Sequence, residues 1–296
     1  MEMMVDVVIT YVDGLDPVWQ RNYAAATGVP VNPKRYRDWG TLKYLLRGIE
    51  RHMDFVGNVF LVVSSESQVP SWADRGNLKV VLHSDIIPGE YLPVFNSTAI
   101  EMFLHRIPGL SERFIYFNDD MFPLRNILEE SLFPAGAPRI GMARHFFAAN
   151  LYKKQTRASY RLAAQAAGVR PGLFYLRPQH TCSPMLKSAC QECFDAVRDE
   201  ILSRVTPLRE PFNVNQYLFV DYSFLKGLSG SGRISNRHFS LASAPIDKIC
   251  RFVEKPGCDF ACINDVNMPE EQYLSFRKKL DGSFSFRYPE KSRYEK

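Results

Sequence analysis

Four short apolar runs, separated by helix-periodic segments, constrain the fold of this chain most. Val5 to Val12 is rich in β-branched residues and ends at Asp13-Gly14, a turn signal. Asn58 to Ser64 (Asn-Val-Phe-Leu-Val-Val-Ser) is nearly continuous in apolar residues, the pattern of a strand buried on both faces. Leu78 to Leu82 and Arg113 to Phe117 read as two more strands, and the latter runs directly into Asn118-Asp119-Asp120. Between them, Leu42, Leu45, Leu46, Ile49 and Met53 recur at helical spacing. Asn96-Ser97-Thr98 offers helix N-caps, with Thr98 and Glu101 at capping-box spacing. Strands without a polar face need helices on both sides. The pattern therefore predicts an α/β fold around a mostly parallel, doubly wound, Rossmann-like sheet.

The middle of the chain differs in character. Residues 131–191 hold no Asp or Glu, yet carry Arg139, Arg144, Lys153, Lys154, Arg157, Arg161, Arg170, Arg177 and Lys187. That local excess of +9 is larger than the net +5 of all 296 residues. We expect a single domain over 1–296, with a core at 1–125 and about 178–296 and a basic, largely helical insertion at about 126–177. Ser183-Pro184 predicts a helix start, with Pro at the first helical position. Leu186, Cys190, Cys193, Val197, Ile201 and Val205 then form an apolar stripe, and a further helix is expected over 213–228.

Composition excludes several classes. With 46% hydrophobic and 23% charged residues the chain is not a disordered one. No apolar run approaches the roughly 18 residues that span a bilayer. Met1 to Val12 has no basic leader or cleavage site, so no signal peptide is expected. The six cysteines, scattered over 182–262, are no disulfide framework for a small secreted domain. The expectation is a cytoplasmic protein, soluble or peripheral at the inner face of the cytoplasmic membrane.

The sharpest local feature is Asn118-Asp119-Asp120 at the end of a predicted buried strand. Ligands of open α/β sheets bind beyond the carboxyl ends of the strands. Adjacent carboxylates there can hold Mg²⁺ or Mn²⁺, which would bridge diphosphate oxygens. The plainer alternative is a surface turn whose side chains cap their own backbone. Asp13 and Asp16 follow the first strand and could line the same edge. Of the histidines (His52, His83, His105, His145, His180, His238), His180 is the best base candidate, lying just before the predicted helix start. His105-Arg106 reads as a helix C-terminal complement. Cys190-x-x-Cys193 and Cys258-x-x-x-Cys262 invite a zinc reading. Cys190 and Cys193, however, lie on an apolar helical stripe where buried cysteines are common. The acid-free stretch is either a solvated face or a surface for a polyanion: nucleic acid, anionic lipid or phosphate-bearing polysaccharide.

Taken together, these motifs resemble the Stealth family of sugar-phosphate transferases. Asp6 to Pro17 resembles its first block. Tyr36-Arg37-Asp38, Leu42-Lys43-Tyr44, Val69 to Trp72, Leu92 to Ser97 and His105 to Phe122 resemble the second. His180, Lys187, Arg209 and Asn213 to Gln216 resemble the third, and Cys262-Ile263-Asn264-Asp265 the fourth. Trp39-Gly40 stands where many members have Asn, and Asn213 where the family often has Asp.

The resemblance implies one catalytic domain with a GT-A-like nucleotide-sugar core. It would move a sugar-1-phosphate from a UDP-sugar to a glycan hydroxyl, releasing UMP, in surface polysaccharide synthesis. Asp119 and Asp120, with Asp265, would hold the metal. His180 would be the base and Arg209 a phosphate clamp, while Asp13, Gly14, Arg37 and Asn118 would contact the donor. Asp13 is a further metal-ligand candidate. No nucleic-acid partner is expected, and the 131–191 stretch would face an anionic membrane. A glycosyltransferase releasing UDP and a non-catalytic polyanion-binding module are the rival readings.

Overall fold

In the computed structural model, which describes residues 4–32 and 36–296, the first strand β1 (Val5–Thr10) is followed by α1 (Pro17–Thr27) and α2 (Leu42–His52). Next come β2 (Val56–Val63), β3 (Leu78–Leu82), α3 (His83–Ile86), α4 (Ser97–Glu101), β4 (Arg113–Asn118) and β5 (Met121–Pro123). The middle segment adds α5 (Glu129–Leu132), β6 (Arg139–Ile140), β7 (Met142–His145), α6 (Leu151–Ala166) and β8 (Tyr175–Pro178). The chain closes with β9 (Ser183–Leu186), α7 (Lys187–Ala196), α8 (Arg198–Leu202), α9 (Tyr217–Leu225), β10 (Gly230–Ser231), β11 (Asn236–Ser240), α10 (Ile246–Glu254), β12 (Phe260–Asn264) and α11 (Glu270–Arg287). The first three residues of the N-terminal reading lie outside the described residues.

The central sheet has the order β3-β2-β1-β4-β9, with the first four strands parallel and β9 antiparallel at the edge. Alternate residues feed opposite faces, as strand pleating requires. Val5, Val7, Ile9, Val59, Leu61, Val63, Ile115 and Phe117 enter one core. Val8, Phe60, Val62, Phe114 and Tyr116 enter the other. The predicted two-faced α/β sheet is therefore present. Buried Asp6 ties its middle together, accepting from the Asn58 amide at 2.9 Å and the Ser111 amide at 2.8 Å. From β1 the chain winds outward to β2 and β3, then returns to the other side of β1 as β4. Loops leaving β1 and β4 diverge at this switch point and open a crevice there. A smaller sheet, β11-β12-β5, brings the end of β12 to the same place.

Several sequence expectations change. Ser183-Pro184 begins strand β9, not a helix; the helix starts at Lys187. The β4 edge needed a partner, and Pro184 sits opposite Ile115 on an edge strand, where its missing N–H is tolerated. The helix expected over 213–228 is confined to Tyr217–Leu225. Asn96, not Thr98, caps α4 by accepting from the Thr98 amide, while Glu101 accepts from the Gln216 amide at 2.8 Å. Segment 126–177 combines the 16-residue α6 with the antiparallel pair β7–β8. All six cysteines are free thiols, and Cys190 and Cys193 are packed inside α7's buried face.

His105 is no helix-end complement either: it is buried against Phe194 and Phe219, and neither ring nitrogen has a partner. Burial, with Arg106 nearby, pushes its pKa down to about 3. The unfolded chain, with an ordinary histidine near 6.5, takes a proton that the folded chain refuses. Stability is thus full above pH 6.5 and is lost as pH falls toward 3. Each tenfold difference in proton affinity is worth about 1.4 kcal/mol. Urea unfolding at pH 6.5 and 5.0 should show a His105→Leu variant losing about 2 kcal/mol less than wild type over that interval. Equal losses would mean the histidine is ionised or hydrated in the folded state.

Candidate active site

The crevice at the switch point is a cavity of about 1310 Å³. Its floor is acidic. Asp119 and Asp120 form the turn between β4 and β5, Asp265 follows β12, and Asp38 precedes α2. Parallel pairing sets this geometry, because Thr10 of β1 lies opposite Asn118 of β4 and both strands end at the crevice. Asp119 and Asp120 keep some surface open to the cavity but are otherwise ringed by protein. Burial, then the charges of Asp120 and Asp38, pushes Asp119 up to about 8. Burial also pushes Asp120 up to about 6, against a Cys262 thiol that donates to its Oδ2 at 3.5 Å. Asp38 and Asp265 are raised by burial as well. The second carboxylate oxygen of Asp120, Oδ1, is sealed from solvent and has no hydrogen-bond partner. Four crowded carboxylates, one with an orphaned buried oxygen, match the hard oxygen donor set that a divalent cation selects.

One wall carries a neutral imidazole. His180, in the loop between β8 and β9, lies with its Nδ1 3.2 Å from the Tyr217 hydroxyl, which in turn accepts from Tyr152 at 3.1 Å. Burial, then His238 and Arg177, pushes the imidazole down to about 4, so the ring is neutral at neutral pH. His180, His238 and Cys262 bring their donor atoms within 4.8 Å of one another. Cations face the acidic floor: Arg209, Arg177, Lys153 and Arg233 all line the cavity. Arg209 donates to Ser97 Oγ at 2.6 Å from the 203–216 loop.

The predicted site residues divide into two groups. Asn118, Asp119, Asp120, Asp265, His180 and Arg209 line one cavity, together with Arg37. Arg37 is otherwise engaged, donating to Met268 O at 3.0 Å and Glu270 Oε2 at 2.6 Å, with its guanidinium over Tyr273. Asn118 Oδ1 accepts from the buried Tyr116 hydroxyl at 2.7 Å. Asp13 and Gly14 do not line the cavity: Asp13 Oδ1 accepts from the Leu15 amide at 2.8 Å, and Asp16 caps α1 through the Val18 amide. Gly14 lets Tyr36 approach; a Cβ there would stand 2.2 Å from Tyr36 O. Gly14→Ala should therefore cost about 3 kcal/mol by overpacking, read as a lower urea midpoint. An unchanged midpoint would remove this close approach as the reason for the glycine.

The two departures from the family pattern also have physical reasons. Asn213 donates to Arg204 O at 2.7 Å and to Thr206 Oγ1 at 2.8 Å, bracing the loop that carries Arg209. Trp39 packs edge-on to Tyr273, and Gly40 takes a left-handed φ of 69° beside Arg277. Asp38, His238, Cys262 and Arg233 were not singled out as site residues in the sequence. Asp38 and Cys262 stand within matched motifs, His238 is weighed with the other histidines and passed over for His180, and nothing local marks Arg233.

The strand order and this crevice define an α/β protein with a carboxylate floor, a neutral imidazole and a cationic wall at its switch point. Residues 35–139 match conserved region 2 of the Stealth proteins. Capsular polysaccharide phosphotransferase WcwK of Streptococcus pneumoniae is 30% identical over 332 aligned positions, 99% of each chain. Receptor polysaccharide phosphotransferase WefC of Streptococcus oralis is 48% identical over 127 residues, which span 40% of this chain and 38% of that protein. A solved galactosyltransferase, LgtC, in complex with donor and acceptor sugar analogs, aligns over 93% of this chain and 96% of its own at 11% identity and a TM-score of 0.39. The chain belongs to the Stealth family, alongside bacterial capsular polysaccharide phosphotransferases.

Proposed function

We propose that this protein transfers a sugar-1-phosphate from a UDP-sugar to a hydroxyl of an acceptor glycan, releasing UMP, in capsule or surface polysaccharide synthesis. One observation carries the reading: a neutral half-buried imidazole, a carboxylate cluster and several cations share one cavity in a chain related throughout to named polysaccharide phosphotransferases. Phosphoryl transfer is mostly positioning and charge neutralisation, and the nucleophile needs a base while the phosphate leaving group does not need an acid. Here His180 takes the proton from the acceptor hydroxyl as its oxygen bonds to the sugar-bearing phosphorus. The bond from that phosphorus to the bridging oxygen breaks, and UMP leaves with the electron pair. Arg209, Arg177 and Lys153 offer charge to the phosphoryl oxygens, Arg as a planar fork.

Asp119, Asp120, Asp265 and Asp38 would hold Mg²⁺ or Mn²⁺, which when bound neutralises diphosphate charge. The cavity exceeds the roughly 300–1,000 Å³ of a typical small-molecule pocket, which suits a nucleotide sugar beside an acceptor.

The test is nucleotide product identity. Protein incubated with UDP-N-acetylglucosamine and related UDP-sugars, Mg²⁺ or Mn²⁺ and candidate glycans should yield UMP dependent on acceptor. UDP as the product would place the attack at the anomeric carbon and overturn the reading.

A further inference from the structure

The cavity leaves one feature of the basic segment unexplained. Strands β7 and β8 pair antiparallel, from Met142 opposite Pro178 to His145 opposite Tyr175. Beyond that last pair, both arms end in large apolar side chains that point into solvent. Phe146 is 47% exposed, Phe147 77%, Leu173 84% and Phe174 54%. They form one cluster, with the Phe146 ring centroid 4.8 Å from Phe147 and 5.6 Å from Phe174. Leu151 and Val169 add further exposed apolar surface at the two ends of α6. None of these six residues lines the cavity. A soluble domain ordinarily scatters such residues singly; a cluster marks a contact surface.

Its surroundings identify the contact. Arg144, Lys154, Arg161 and Arg170 are exposed, and none of them forms an ion pair with a carboxylate among the described residues. Lys154 and Arg161 lie seven residues apart on the outward face of α6, with Arg157 between them. No Asp or Glu occurs from 131 to 191 to oppose an anion.

We propose that the β7–β8 tip, Phe146, Phe147, Leu173 and Phe174, inserts into the interfacial layer of an anionic phospholipid bilayer while the surrounding Arg and Lys residues bind its headgroups. Peripheral attachment needs two signals, because a small apolar tip or a modest basic patch alone binds weakly and reversibly. Here the two are adjacent. Phe and Leu, which have no polar atom to hydrogen-bond a sugar, favour hydrocarbon over a soluble acidic glycan, although the charges would suit either. The same strand pair lines the cavity at Met142, Ala143 and Arg177. Phe147 is five residues from Met142, roughly 17 Å of extended chain. A docked tip would hold the cavity that far from the membrane, within reach of a glycan carried on a lipid. This inference does not depend on the reaction proposed above, and its test needs no turnover.

The test is co-sedimentation of the full chain with sucrose-loaded vesicles. Vesicles of phosphatidylglycerol and phosphatidylethanolamine at 0.15 M salt should pellet the protein, and neutral phosphatidylcholine vesicles should bind it at least tenfold more weakly. Phe147→Asp with Leu173→Asp should lower partitioning on anionic vesicles at least tenfold, as should Lys154→Glu with Arg161→Glu. All four side chains are exposed, so melting temperatures should stay at the wild-type value, which separates lost docking from lost folding. Unchanged binding by the Phe147→Asp, Leu173→Asp protein overturns the insertion. So does displacement of wild type by a soluble acidic polysaccharide together with indifference to the apolar substitutions, a result that would assign the face to glycan.

Discussion

Asp120→Asn is expected to lower turnover roughly 1,000-fold or more while leaving the protein as stable as wild type, or more so, in the absence of metal. The two halves of this result share one cause. Asp119, Asp120, Asp38 and Asp265 crowd the crevice floor, and burial with mutual repulsion lifts Asp119 to about 8 and Asp120 to about 6. An amide at position 120 removes one member of that repulsion, so the apo fold gains or breaks even. What it loses is the charge that draws a divalent cation, and with it the oxygen that has no partner in the protein. Thermal melting with and without Mg²⁺ or Mn²⁺ reads the difference. Wild type should gain about 2.7 kcal/mol at a metal concentration 100-fold above the dissociation constant, and the variant little. The gain should also grow with pH between 6 and 8.5, because the cation must displace protons whose affinity the site has raised. Equal metal-induced stabilisation in the two proteins would show that Asp120 is not part of the cation site.

His180→Ala should reduce kcat by about 10²–10⁴-fold, the range for loss of a general base. KM for the donor should change little, since the carboxylates and arginines proposed to bind it are untouched. The imidazole is restrained by the Tyr217 hydroxyl and kept neutral by burial beside His238 and Arg177. A neutral ring accepts a proton; an imidazolium could not. Added imidazole should recover part of the activity of the alanine variant. Near-wild-type kcat in a folded His180→Ala protein would remove His180 from the chemistry and turn attention to His238, whose ring centroid lies 5.5 Å away.

Much of this site is legible in the sequence because its anchors are local. An apolar strand followed by Asn118-Asp119-Asp120 marks a sheet end, and sheet ends are where α/β crevices form. Asp265 and His180 followed from matched motifs. By contrast, Asp13 and Gly14 read as donor contacts, but the fold uses them to shape the β1–α1 turn against Gln68 and Tyr36. Asp38, His238, Cys262 and Arg233 come from distant segments, and no spacing rule connects them to Asp120.

The strand and helix periods of the chain determine its parallel sheet, two cores and switch-point crevice, since a strand apolar on both faces has no other stable surroundings. The aromatic and basic composition of residues 131–191 is equally a property of sequence. Which side chains meet is decided only by the tertiary structure. Pro184 joins the sheet because β4 has a free edge, and His105 is buried because Phe194 and Phe219 close over it. Cys262 reaches Asp120 because β12 runs beside β5. Periodicity acts over a few residues through backbone geometry, whereas protonation and ligand affinity depend on burial and on charges brought together from positions more than a hundred residues apart.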